Sequence, residues 1–266
     1  MENECYQHLR QIISEFPLLY QFLDDDFIKK QCQSELKNYI LKRLNNEVSS
    51  HDIRLYLPSF EKRLEGLVSV KGYDRLGSRL RGASDWDQHN DIEAQIDITL
   101  WFKRKNLLKE IEPKLPCREG YSDILLSFLQ QDIYCETHSF QSIIKSIQPE
   151  ESKTEKEWDE LKGIKWAVRH LLKETSRQLP QDYPGILALD ATKSVKFAYD
   201  VRFIAERLLP QRPQVIFIAL WSWEGNGEPS WDMIPNDFFV NSKSKFPDVG
   251  KALLGHLGLK GEIIGV

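Results

Sequence analysis

GYSDILLSFLQQDIYCETHSF, residues 120–140, decides how this chain folds. Two apolar runs, 124–128 and 133–140, flank the polar Gln130-Gln131-Asp132, which reads as a turn. Both runs have strand length. Alternate strand residues share a face, so Ile133, Cys135 and Thr137 point one way and Tyr134, Glu136 and His138 the other. The first set suits burial under a helix, and the second would line a cleft. A hairpin at this spacing folds Asp123 back toward Glu136. Two carboxylates brought together without a cation repel and raise a pKa. A bound Mg²⁺ removes that penalty, because it prefers hard oxygen ligands. Cys135 and His138 lie on opposite faces, which argues against a Cys/His metal pair.

Upstream, LLKEIEPKLP (107–116) reads as an edge strand with proline toward its end. DIEAQIDITLWF (91–102) is two-sided. Its even positions from Ile92 to Phe102 are all apolar, and that period predicts a strand. Glu93, Ala94, Gln95, the KRKN tail and a cap at Asn90 permit a helix. The first third reads as helical, from Leu9, Ile12, Ile13, Phe16 and Leu19 and again from Leu36, Tyr39, Ile40 and Leu44. A basic stretch, KGYDRLGSRLRGASDWD (71–87), follows it.

Downstream, 149–157 is a polar connection, and Leu161 to Leu172 carries the stripe of an amphipathic helix. ILALDA (186–191) and VIFIALW (215–221) read as buried strands, with a helix marked by Phe197, Val201, Ala205 and Leu208 between them. Strand–helix–strand implies a crossover and parallel pairing. The tail beyond Trp223 is rich in Gly and Pro, with one short helix near 249–257. Asp190 reads as a helix cap for SVKF, and Trp221, Trp223 and Trp231 read as core or rim packing of the last strand in preference to base stacking. A different α/β enzyme, with its site at the ends of 186–191 and 215–221, is the third reading these elements admit.

The 266 residues are 41% hydrophobic and 11% aromatic, enough for a real core. The formal net charge of −4 is unlike that of a nucleic-acid coating protein, although a nuclease can carry a local basic patch beside an acidic site. The four cysteines form no C-x-x-C pair and no zinc-type cluster. The polar start MENECYQHLRQ lacks a signal core, and the run 215–221 is too short to span a bilayer. Together these predict a reduced, cytoplasmic protein with no membrane partner.

Asp123, then Glu136-Thr137-His138, within a helix, three strands, a helix and a further strand, resembles the PD-(D/E)xK nuclease superfamily. The resemblance covers roughly 86–221 and implies a restriction-endonuclease-like α/β fold: a mixed sheet flanked by helices in residues 86–266, behind a helical region in 1–85. It makes 91–102 the first core helix, against the period, and gives Glu93 the helical acidic position. It makes Asp123, Glu136 and the Thr137 carbonyl ligands of Mg²⁺ or Mn²⁺, and it implies hydrolysis of nucleic-acid phosphodiesters. Arg75, Arg79 and Arg81 would approach a DNA or RNA backbone, and a second copy of the chain is a further partner the reading admits. Ser122 replaces the motif's proline. His138 stands where the family has a lysine, unless Lys145, Lys162 or Lys165 reaches back to do its work. Histidine can orient or deprotonate water but supplies no permanent charge at its ordinary pKa. The alternative is therefore a catalytically inactive nuclease-like module kept for binding or assembly.

Overall fold

The computed structural model describes residues 2–46, 49–116, 119–139, 173, 176–190, 197–223 and 233–264. The chain divides into two units, Met1–Ile96 and Asp97–Val266. The first is helical, as its periodicity predicts: α1 (Glu2–Ile13), α2 (Pro17–Phe22), α3 (Asp25–Gln33), α4 (Tyr39–Leu44), α5 (Ser50–Glu65), α6 (Tyr73–Gly82) and the first part of α7 (Trp86–Arg104). These helices are short, so capping counts. Asp24 accepts from Phe27 N at the start of α3, and Asn38 accepts from Leu41 N at the start of α4. Asn38 also donates to Leu80 O at 2.7 Å, tying α4 to the end of α6. The α2 amides of Leu18 and Leu19 donate to the Glu61 carboxylate of α5 at 2.7 and 3.0 Å. A carboxylate there satisfies open N–H groups and suits the positive end of the helix dipole.

Residues 91–102 are helical, so the strand predicted from their period is corrected. The alternation misleads because the odd positions are also buried: Gln95, Asp97 and Thr99 lie at 0, 3 and 0% exposure. A helix buried on most sides carries no clean 3.6-residue stripe. Its cap is Asp85, one turn before Asn90: Asp85 accepts from Gln88 N, and Gln88 Oε1 accepts from Ser84 N, both at 2.9 Å.

The second unit is built on a seven-stranded sheet in sequential order. The strands are β1 (Leu108–Ile111), β2 (Ile124–Phe128), β3 (Gln131–Ser139), β4 (Gly185–Asp190), β5 (Val215–Trp223), β6 (Met233–Asn241) and β7 (Glu262–Ile264). β1, β2 and β3 form an antiparallel meander. β3–β4 and β4–β5 are parallel, β5–β6 antiparallel and β6–β7 parallel. An α/β architecture with a mixed sheet and a helical N-terminal region is thus present. The predicted helix at 161–172 lies outside the described residues. The tail holds more than the expected short helix, now α9 (Pro247–Leu257), because β6 and β7 extend the sheet.

Both faces of the central strands are covered. Ile124, Ile133, Cys135, Ala188 and Trp221 join one core with Trp101 and Phe102 of α7 and Leu253 of α9. Leu125, Tyr134, Leu187 and Ile218 join the other with Val201, Ala205 and Leu208 of α8 (Phe197–Leu208). Ile133 and Cys135 therefore face a helix as expected, but Tyr134 on the opposite face is core as well and does not line a cleft.

The β2–β3 turn is Leu129-Gln130, one residue earlier than the expected 130–132, because Phe128 pairs with Gln131. Both turn residues adopt positive φ, 50° and 63°, a conformation that side chains with a Cβ resist. Replacing Leu129-Gln130 by Asn-Gly should therefore raise unfolding free energy by about 1 kcal/mol. Urea denaturation of the two proteins measures the gain.

Candidate functional site

The edge of the β1–β2–β3 meander brings the predicted carboxylates into one row. Ile124 pairs with Cys135, so the ladder continued by one position sets Asp123 opposite Glu136 on the same face. Glu112 precedes Pro113 at the end of β1, has a φ of 50°, and donates its N–H to Asp123 O at 2.9 Å. Left-handed backbone in front of proline is strained. Glu112 and Glu136 are buried, at 8 and 4% exposure, and Asp123 is half-buried.

Hydrogen bonds define what Asp123 does. Its Oδ2 accepts from Thr137 N at 2.7 Å and from Thr137 Oγ1 at 3.0 Å, which ties the start of β2 to β3. Ser122 Oγ, where the motif would have proline, donates to Cys135 O at 3.1 Å and adds a second tie. Burial raises the Cys135 thiol pKa well above its ordinary value, and the Asp123 and Glu136 carboxylates push in the same direction. Cys135 is thus a neutral core thiol. His138 is half-buried, and its Nε2 has no hydrogen-bond partner among the described residues.

A divalent cation needs several converging oxygens. Among the described residues, no three His, Cys, Asp or Glu side chains are grouped so as to hold one. Asp123 Oδ2 is already engaged twice by Thr137. Glu93 Oε1 accepts from Arg63 Nη2 at 2.6 Å inside the first unit. Lys145, Lys162 and Lys165, the other sources of a motif cation, lie outside the described residues, as do Cys117 and Trp231.

The three arginines expected at a nucleic-acid backbone lie on α6. Arg79 Nη1 donates to Gln95 Oε1 at 2.7 Å. Arg81 reaches Phe22 O and pairs with Asp24 at 2.6 Å. Arg75 is half-buried. Trp221 is wholly buried, in keeping with packing and not base stacking. Asp190 sits in register with Ser139 and Trp221 at the end of β4, and the SVKF residues it was expected to cap begin outside the described part.

Sequence reading missed three buried acids, Glu112, Asp97 and Glu110. Pro113 immediately after Glu112 was the available signal for the first, since proline restricts the residue before it. Asp97 on α7 was hidden by the apparent strand period. His89 was also missed: it is buried among Tyr39, Tyr56 and Phe60, with Nε2 3.0 Å from Tyr56 Oη.

Comparison of the chain with known protein families, with characterised proteins and with solved structures gives no match.

The first unit offers two tests. Burial lowers the His89 pKa from 6.5 to about 4; the nearby Glu93 carboxylate opposes that fall and Arg63 adds to it. Between these two values the unfolded chain binds the extra proton and the folded chain does not. Stability should therefore fall as pH drops from about 6.5 to about 4, by roughly 3 kcal/mol at most. Urea midpoints across that window should flatten in His89→Gln. The side chains of Arg63 and Glu93 are only 6 and 14% exposed. Glu93→Ala would remove the carboxylate paired with a buried guanidinium, so denaturation should show a loss of about 3 kcal/mol.

Proposed function

We propose that the chain is a catalytically inactive nuclease-like α/β module, kept for binding or assembly, whose Asp123–Thr137 edge serves the fold. The observation that carries this reading is the double acceptance by Asp123 Oδ2 from the Thr137 N–H and hydroxyl. A carboxylate held that way locks two strands in register. The imidazole of His138 at the position of the motif lysine supports the same reading, because the fixed cation that would stabilise developing charge is missing there. The meander β1–β2–β3 followed by parallel β4 agrees with the architecture the resemblance implies.

A Mg²⁺-dependent nuclease is the competing reading. The register that sets Asp123 opposite a buried Glu136 favours it.

Asn and Ala at position 123 separate the two. Asparagine can still accept from Thr137, whereas alanine cannot. In the proposed reading, Asp123→Ala loses about 2 kcal/mol of stability and Asp123→Asn much less. The parent protein, incubated with Mg²⁺ or Mn²⁺ and single- or double-stranded DNA or RNA, releases no fragments. Metal-dependent cleavage that disappears in a stable, folded Asp123→Asn variant would establish the nuclease instead.

A further inference from the structure

A second feature lies at the other end of the central strands. Ser176, Arg177, Leu179, Gln181, Gln211, Arg212, Gln214 and Lys245 are among the residues lining an open cleft of about 230 Å³ before β4 and β5. Its charged side chains are Arg177, Arg212 and Lys245, and no carboxylate lines it among the described residues. In a chain of net charge −4, Arg212, whose side-chain donations go to a neutral hydroxyl and a neutral carbonyl, and Lys245 bring uncancelled positive charge to this cleft beside Arg177. Like charges in one cleft repel, and a bound anion is what turns that repulsion into attraction.

The walls are also fixed in advance. Arg212 Nε donates to Ser176 Oγ at 2.9 Å, and its Nη1 donates to Gln211 O at 3.2 Å. The buried Gln214 donates to Ser176 O at 2.9 Å. Asn241, 2% exposed, donates to Leu209 O, Arg212 O and Val215 O at 2.9, 3.1 and 2.9 Å, which holds the loop that carries Arg212. Lys245 N donates to Pro213 O at 2.8 Å, and Ser244 Oγ to the same carbonyl at 3.1 Å, placing Lys245 on the rim. An anion entering such a cleft has little ordering to impose. Two guanidinium groups offer planar donors suited to phosphate oxygens, with a point charge from the lysine beside them. The glutamine amides add neutral donors. The volume is below the usual span of drug-sized pockets and suits one or two phosphoryl groups, with the remainder of the ligand outside.

We propose that this cleft binds the phosphate groups of a phosphate ester, gripped by Arg177, Arg212 and Lys245. The inference does not rest on how Asp123 is read. The shared chemistry has two sources, a free phosphorylated small molecule or the backbone of a nucleic acid.

Calorimetric titration of the full chain, without divalent metal, tests it with two probes: inorganic pyrophosphate and a short single-stranded oligonucleotide. Pyrophosphate should bind, and Arg177→Gln combined with Lys245→Gln should weaken it by about tenfold or more. Asp123→Asn should leave the affinity unchanged, so failure of the strand-edge reading and failure of the cleft are distinguishable. Arg177 and Lys245 are exposed, so their substitution spares the core. Oligonucleotide binding that competes with pyrophosphate and weakens in the double variant identifies a polymer backbone as the ligand. Pyrophosphate binding that the oligonucleotide does not displace identifies a free ester. Absence of heat with both probes, or affinities indifferent to both substitutions, overturns the proposal.

Discussion

Parallel pairing of β3, β4 and β5 is the constraint from which the second unit follows. A tight turn cannot join parallel strands, so the chain leaves the sheet after Ser139 and returns at Gly185. Strands in the interior of a sheet with parallel pairing are buried on both sides. That is why GILALD is buried at every position, Asp190 included. It is also why the meander beside it carries core side chains on both faces, Cys135 on one and Tyr134 on the other.

Two-sided burial also sorts what could be read from the sequence. β4, β5 and α8 were legible because continuous apolar runs and a clean helical stripe leave few alternatives. The first third was legible for the same reason. Residues 91–102 were not, because Gln95, Asp97 and Thr99 are buried while looking like a solvent face. The family resemblance reached the right helix where the period did not, since it weighed the order of elements over local alternation. The β2–β3 turn shifted because Leu129 carries no turn signal, yet it takes positive φ to keep Phe128 opposite Gln131. β6 and β7 were hidden behind Gly and Pro in the tail. Their pairing with β5 is a tertiary choice that local composition does not encode.

The candidate site shows the same division. Strand alternation and hairpin spacing were enough to put Asp123 and Glu136 on one face. They could not say what each oxygen does, because that depends on neighbours in three dimensions. Thr137, whose carbonyl the resemblance assigns to a metal, donates its amide and hydroxyl to Asp123. Glu93, expected at the same centre, is bound to Arg63 in the other unit.

Charge placement separates two groups of arginines. Arg63, Arg79 and Arg81 meet a carboxylate, an amide and a carboxylate within the first unit. Arg212 is anchored as well, but its partners are a neutral hydroxyl and a neutral carbonyl. A guanidinium fixed by neutral groups keeps its full charge toward the open cleft, whereas one fixed by a carboxylate does not. Sequence cannot distinguish these cases, because a run such as RLRG and an isolated RPQ differ in charge density but not in what each arginine meets. A search for a phosphate-binding surface by local basicity therefore selects α6, and the hydrogen-bond partners move the choice to the loop before β5.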